Sequence, residues 1–120
     1  NGSLWGWGRN DKGQLGDGSN EDRHAPTLIS DAAEWKTLAA GYNHTLGIQT
    51  DGTLWGWGSN SVGQLGLGSS GDSNQPVQIG TDSDWESVAA GFLFSLAIKT
   101  DGTLWAFGLN TFGQLGVGPA

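Results

Sequence analysis

The chain has 120 residues, with 22 glycines, seven tryptophans, no cysteine and no methionine. So many large aromatic residues exclude a disordered chain and indicate that the glycines serve tight turns, and the lack of cysteine excludes a disulfide framework. A net charge of −7 with only five lysines and arginines argues against nucleic-acid binding, and no apolar run is long enough to suggest membrane insertion.

A repeat with a 50-residue offset runs through the chain without an insertion. Two blocks of sequence carry it most clearly, a Leu-Trp-Gly-Trp-Gly block and an Asn-x-x-Gly-Gln-Leu-Gly-x-Gly block. The first block lies at 4–8, 54–58 and, as Leu-Trp-Ala-Phe-Gly, at 104–108, and the second begins at Asn10, Asn60 and Asn110.

Each repeat is predicted to contain four short β-strands. In chain order, strand D lies at 26–29 or 76–79, where its proline suits a sheet edge, and strands A, B and C follow at 35–40, 44–50 and 53–58. An Asp-Gly pair between B and C is a strong hairpin signal, and no segment shows a sustained helical period. Four short strands in 50 residues are typical of one blade of a β-propeller.

The predicted fold is therefore all-β, a β-propeller fragment of about 2.4 four-stranded blades. Residues 1–20 are expected to form the C-terminal half of a blade unit, because Asn1-Gly2 occupies the hairpin position of Asp51-Gly52. Residues 21–70 and 71–120 are each expected to form a complete repeat unit. We expect the three pieces to belong to one larger propeller domain, with neighbouring blades or other copies of the fragment covering its open faces.

The repeat resembles a known family. Its unit at 51–68, Asp-Gly-Thr-Leu-Trp-Gly-Trp-Gly-x-Asn-x-x-Gly-Gln-Leu-Gly-x-Gly, and Ala-Ala-Gly-x-x-His-Thr at 39–45 are similar to the regulator-of-chromosome-condensation repeat, especially its bacterial and viral forms. The Trp-Asp ending of WD repeats and the Gly-Gly pair of kelch repeats are missing. The resemblance implies a closed propeller, usually of seven blades, and a structural, hydrogen-bonded role for His44.

Two features of the sequence could be chemical sites, and each also has a structural explanation. Trp5 and Trp7 project from the same strand face and could stack on sugars, but their recurrence in every repeat favours packing between blades. The acidic segment 17–22 could bind calcium, but it lacks the ordered ligand spacing of a calcium loop and is interpreted as a solvated connection. No nucleophile in a triad context and no histidine cluster was found, so neither a catalytic residue nor a cofactor or metal is predicted.

The candidate binding residues are those that differ between repeats. Positions shared by all repeats are required by the blade, whereas variable positions are free to carry function. In an up-and-down blade the A–B and C–D connections emerge on the same face, so their variable residues share one surface. These partner-binding candidates are Arg9, Asp11, Lys12, Tyr42, Asn43, Val62, Phe92, Leu93 and Phe112.

The function predicted from the sequence is a non-catalytic protein–protein interaction scaffold, with part of a bacterial surface or phage structural protein as one setting. Two alternatives stay open, a guanine-nucleotide exchange factor for a Ras-like GTPase and a proteinaceous enzyme inhibitor. The resemblance implies that an exchange factor carries a wedge-like insertion and a basic surface, and neither is seen here. The predicted partner is a protein of unknown identity, and the cytosol, a virion and a bacterial surface are all compatible locations.

Overall fold

The computed structural model describes residues 2–31, 34–66 and 71–108. Every helix or strand within these ranges is a β-strand, and none of the described segments could cross a membrane as a helix. The strands are β1 (Leu4–Gly8), β2 (Arg23–Ser30), β3 (Trp35–Ala40), β4 (His44–Gln49), β5 (Leu54–Gly58), β6 (Ser73–Gln78), β7 (Trp85–Ala90), β8 (Phe94–Lys99) and β9 (Leu104–Gly108).

The strands form three antiparallel sheets, which we call the first, second and third blades. Their strand orders are β1-β2, β3-β4-β5-β6 and β7-β8-β9. The second blade is a four-stranded up-and-down sheet, which confirms the prediction of an all-β propeller fragment. The sheets do not coincide with the 50-residue sequence units. The strand β2 pairs with β1 of the preceding unit, and the second blade runs from Trp35 to Gln78, so a sheet combines strands from two units.

Strands A, B and C agree with the sequence prediction to within one residue, and strand D overlaps the predicted segments but begins three residues before them. The outer strand starts earlier, at Arg23 in β2 and at Ser73 in β6. An irregularity in the register between Gly56 and Gly58 lets β6 continue its pairing as far as Ser73. Pro26 and Pro76 lie in these outer strands, which pair on one side only and therefore tolerate a residue without an N–H.

The Asp-Gly hairpin also orients a tryptophan. Gly52 has a φ of +85° and donates its N–H to the carbonyl of Gln49 at 2.9 Å. Asp51 accepts hydrogen bonds from the backbone N–H of Thr53 at 3.0 Å and from its hydroxyl at 2.6 Å. The Thr53 hydroxyl in turn accepts a hydrogen bond from the indole Nε1 of Trp55 at 2.8 Å. The hairpin 50 residues later repeats these side-chain bonds, so the turn chemistry belongs to the repeat.

The hydrophobic core lies between blades rather than within one sheet. Apolar side chains from one face of the second blade pack against the facing side of the third blade, as expected for sheets that stack around an axis. The cluster consists of Leu46, Ile48, Leu54 and Ile79 from the second blade with Trp85 and Ala97 from the third, and Val88, Ala90 and Phe107 pack against it.

In the second and third blades, a large aromatic ring rests on a glycine of the preceding blade. Trp57 is 1% exposed, and a Cβ built on Gly16 would lie 2.8 Å from its ring. Phe107 covers Gly66 in the same way, at 2.9 Å from the equivalent Cβ position. Trp7 is the matching residue of the first blade and is 59% exposed. The second and third blades therefore support the interpretation of these aromatics as packing between blades.

We predict that Trp57→Ala lowers the free energy of unfolding by about 3–5 kcal/mol, because it removes a fully buried aromatic from the contact between blades. The control is Ser61→Ala, an exposed position in the connection between β5 and β6, which is expected to cost less than about 0.5 kcal/mol. Urea denaturation followed by circular dichroism measures both. Equal losses of stability in the two variants would contradict the packing assignment.

Candidate partner-binding surface

The connection between the third and fourth strands of a blade is here called the C–D loop, and a buried asparagine organises it in the first and second blades. The side chain of Asn10 is fully buried, and its Nδ2 donates to the carbonyls of Ser19 and Glu21, both at 3.0 Å. Its Oδ1 accepts the backbone N–H of Leu15 at 2.9 Å. Asn60 makes the equivalent bond with Leu65 at 2.9 Å in the second blade. The repeated asparagine is therefore a structural residue.

In the acidic segment of the first C–D loop, the carboxylates of Asp17 and Asp22 accept hydrogen bonds from other groups of the chain. Asp17 accepts hydrogen bonds from the guanidinium of Arg23 at 2.8 Å and from the backbone N–H of Ser19 at 2.9 Å. Burial alone would raise the pKa of Asp17, but hydrogen bonds from Arg23, Ser19 and Asn10 outweigh it and hold this pKa below its usual range. Asp22 accepts the backbone N–H of Asn10 at 2.8 Å. Among the described residues, no group of acidic or histidine side chains is arranged to hold a metal ion.

Side-chain hydroxyl groups bind each A–B loop to the C–D loop of the preceding blade. The hydroxyl of Thr45 donates to the carbonyl of Gln14 at 2.8 Å, and that of Ser95 donates to the carbonyl of Gln64 at 2.6 Å. These bonds place the A–B and C–D connections on one face, which we call the loop face. The sequence analysis missed Ser95 and Gln64, although a hydroxyl residue and a glutamine recur at these two positions in the repeat.

His44 lies beneath the loop face. Its side chain is buried, and its Nε2 lies 2.9 Å from the hydroxyl oxygen of Ser95 in the third blade. Burial lowers the pKa of His44, and the backbone of Phe94 opposes this effect in part. The structural, hydrogen-bonded role predicted for this histidine is confirmed.

Two exposed aromatic side chains meet on the loop face. Tyr42 and Phe92 are 56% and 58% exposed, and their ring centroids lie 4.5 Å apart. The guanidinium carbon of Arg9 lies 6.0 Å from the centre of the Tyr42 ring. Arg9 also forms a two-point ion pair with Asp11, with N–O distances of 2.9 and 2.8 Å. We call the pair of rings the aromatic platform.

The other predicted binding residues are arranged around this platform or fall outside the description. Asn43 and Leu93 belong to the same A–B loops as the platform rings but are half-buried. Lys12 and Val62 are exposed in the C–D loops of the first and second blades. Phe112 lies outside the described residues.

The opposite face, formed by the hairpins and the D–A connections, is different in character. Its cation Lys99 is held within 5.0 Å of the centres of both the Trp85 and Trp105 rings and is bonded to Asp82. Exposed carboxylates dominate the remainder of this face. They belong to Asp31, Glu34, Asp51, Asp82, Asp84 and Asp101.

Comparison with known families gives a match over most of the chain. The family described as "Regulator of chromosome condensation (RCC1) repeat" matches residues 1–48 and 51–98. A second family of the same description matches residues 35–64 and 85–114.

Curated relatives match over one repeat. The chain is 51% identical over 53 residues to "Protein RCC2 homolog" of Danio rerio, which covers 42% of this chain and 11% of that protein. It is 45% identical over 53 residues to "Protein RCC2" of Homo sapiens, which covers 42% of this chain and 10% of that protein. The matched segment is therefore about a tenth of the length of these relatives.

Solved structures share the fold. Prp20p of Saccharomyces cerevisiae aligns with a TM-score of 0.87 at 24% identity, covering 98% of this chain and 32% of that one. Human WBSCR16 aligns with a TM-score of 0.81 at 22% identity, covering 89% of this chain and 28% of that one. The Prp20p structure is described together with the binding of that protein to Gsp1p and histones.

We predict that Asp17 stabilises the first C–D loop in a pH-dependent way. The pKa of its carboxyl is depressed in the folded state, so its contribution is present above the unfolded value of about 3.9 and disappears as the pH falls through the lower folded value. Asp17→Asn should therefore be less stable than the wild type at pH 7, and the difference should narrow steadily as the pH falls below about 3.9. Urea denaturation of both proteins over this range tests the prediction, and a constant difference would refute it.

Proposed function

We propose that this chain, which belongs to the regulator of chromosome condensation repeat family, is part of a non-catalytic protein-interaction scaffold that binds its partner through the loop face. The aromatic platform is the observation that carries the proposal. Large aromatic side chains and arginine dominate the energetics of protein interfaces, and here two half-exposed rings lie beside Arg9.

The two rings of the platform do not take part in the contacts between blades that Trp57 and Phe107 form. The aromatics of Trp57 and Phe107 recur in the repeat and serve contacts between blades, whereas the A–B loop sequences differ from blade to blade. Tyr42 and Phe92 occupy the same repeat position, and their rings are exposed rather than buried between blades, so both side chains are available for binding.

The platform is also held in place before any partner arrives. A Cβ built on Gly41 would lie only 2.6 Å from the carbonyl oxygen of Gly91, so the two A–B loops touch directly below the rings. The ion pair of Arg9 with Asp11 fixes the guanidinium beside Tyr42. A surface that is ordered in advance loses less conformational entropy on binding.

Two lines of comparison support a protein as the partner. Prp20p is described as binding Gsp1p and histones, and the same yeast protein is also described bound to Kap60. We rank nucleotide exchange and enzyme inhibition below general protein binding, because the insertion-free repeat has no segment for a wedge. The matching curated relatives are vertebrate proteins and give no support to a bacterial or phage setting.

We predict that the double variant Tyr42→Ser with Phe92→Ser loses partner binding while keeping its fold. Removal of two anchoring aromatics should weaken binding by at least about tenfold. Partners are first recovered by quantitative affinity purification with the wild-type chain, and their dissociation constants are then measured for each variant. The control is Thr81→Ala, an exposed position on the opposite face, which should bind like the wild type.

Circular dichroism and urea denaturation establish that the double variant is folded. Unchanged affinity of the folded double variant would contradict the proposal. So would a loss of binding caused by substitutions on the hairpin face alone.

A further inference from the structure

We propose that His44 is a proton-sensitive joint, in which protonation of the imidazole separates the second and third blades beneath Tyr42 and Phe92 and opens the aromatic platform. The inference concerns the regulation of the proposed binding surface, and its biological consequence rests on that proposed function. The structural change itself is testable without a partner.

The joint is a chain of two buried hydrogen bonds. The imidazole Nε2 of His44 lies 2.9 Å from the hydroxyl oxygen of Ser95, and this hydroxyl donates to the backbone carbonyl of Gln64 at 2.6 Å. A serine hydroxyl has a single hydrogen, which is used in the bond to Gln64, so it must accept a hydrogen bond from Nε2–H. In the neutral ring the hydrogen therefore lies on Nε2, where it links β4 to β8 and, through Ser95, to the second C–D loop.

The other ring nitrogen, the buried Nδ1 atom of His44, meets no acceptor within hydrogen-bonding distance in the described part of the chain, and the backbone of Phe94 favours the protonated ring only in part. Protonation would place both a hydrogen and a positive charge at this atom, and an unpaired buried charge is strongly unfavourable. Burial accordingly lowers the pKa of His44. When a proton does bind, the favourable response is for the ring to move toward water.

The charged groups around His44 do not compensate its protonation. Lys36 is paired with Glu86 at 3.3 Å, and both lie near the far ends of β3 and β7 from His44. Burial and the backbone of Phe94 are the influences on the pKa of His44, with no contribution from a charged side chain among the described residues. The charged groups on the surrounding strands and loops are Lys36, Glu86 and Lys99 on β3, β7 and β8, Asp72 in the second C–D loop, and Arg9, Asp11, Lys12, Asp17, Glu21 and Asp22 in the first.

Movement of the ring is transmitted directly to the platform. Tyr42 precedes His44 by two residues, and Phe92 precedes Ser95 by three residues. The buried hydrogen bond and the contact between the two rings, with centroids 4.5 Å apart, thus join the same pair of A–B loops. A break of the bond between His44 and Ser95 removes the polar link below the platform.

The third blade supplies a natural control for this joint. Phe94 occupies the position equivalent to His44, so the repeat accepts a phenyl ring there. The substitution His44→Phe removes the titrating group while keeping a residue that the same fold already accommodates. His24, the second histidine of the chain, is exposed in β2 and provides the matched control His24→Gln.

The test uses the single tyrosine of the chain. Incorporation of 3-fluorotyrosine places one fluorine probe at Tyr42, and its nuclear magnetic resonance signal is followed from pH 8 to pH 5. The expected result is a one-proton shift of the fluorine resonance with a midpoint below 6.5, the ordinary value for histidine. The shift should be absent in His44→Phe and unchanged in His24→Gln.

Three outcomes would overturn the proposal: a resonance that does not move before global unfolding, an equal shift in His44→Phe, and a shift that disappears in His24→Gln. If His44→Phe does not fold, the imidazole nitrogen shifts of the wild type decide instead. His44 must then protonate in the folded state with the same midpoint as the fluorine signal. Failure of this titration leaves the test of partner binding untouched, and loss of the proposed binding function leaves the titration intact.

Discussion

The contact between a large aromatic ring and a glycine of the preceding blade is the constraint on which the rest of the structure depends. At Gly16 the backbone has a φ of +78° and a Cβ would lie 2.8 Å from the indole of Trp57, so both the conformation and the space demand glycine. The same arrangement recurs between Phe107 and Gly66. A small blade has little interior of its own, and it becomes stable by burying one face on each neighbour.

Polar bonds fix the blades at both ends of this apolar contact. On the hairpin face, the N–H of Trp85 donates to the carbonyl of Gly52 at 3.1 Å. On the loop face, the hydroxyl groups of Thr45 and Ser95 bind carbonyl oxygens of the preceding blade. Because both ends are secured by positions that recur in the repeat, the variable residues at the tips of the A–B loops can change without loss of the fold. This division explains how the same scaffold can present different binding surfaces.

The junction between the second and third blades differs chemically from a purely apolar contact. His44 places a titratable group in a buried position that the third blade fills with Phe94. The cost of a buried polar ring is offset by its bond to Ser95. A protonated ring keeps the Nε2–H donor but adds a buried charge, so the pH dependence of the junction follows from the burial of the ring.

Because the sequence repeats, much of the architecture could be predicted from it. The 50-residue offset, the Asp-Gly hairpins and the alternating strands located A, B and C, and the up-and-down order of the strands placed Arg9, Tyr42 and Phe92 on one face. Local turn chemistry and strand periodicity are short-range properties, and a sequence expresses them directly.

Tertiary structure decided the features that depend on neighbours. The early start of β6 needed a register irregularity in β5, and the bonds between Ser95, Gln64 and His44 join residues that are far apart in the chain. Trp7 and Trp57 occupy the same sequence motif, yet one is 59% exposed and the other 1%. Whether a side chain is buried depends on what packs against it, and only the packing of whole blades decides this.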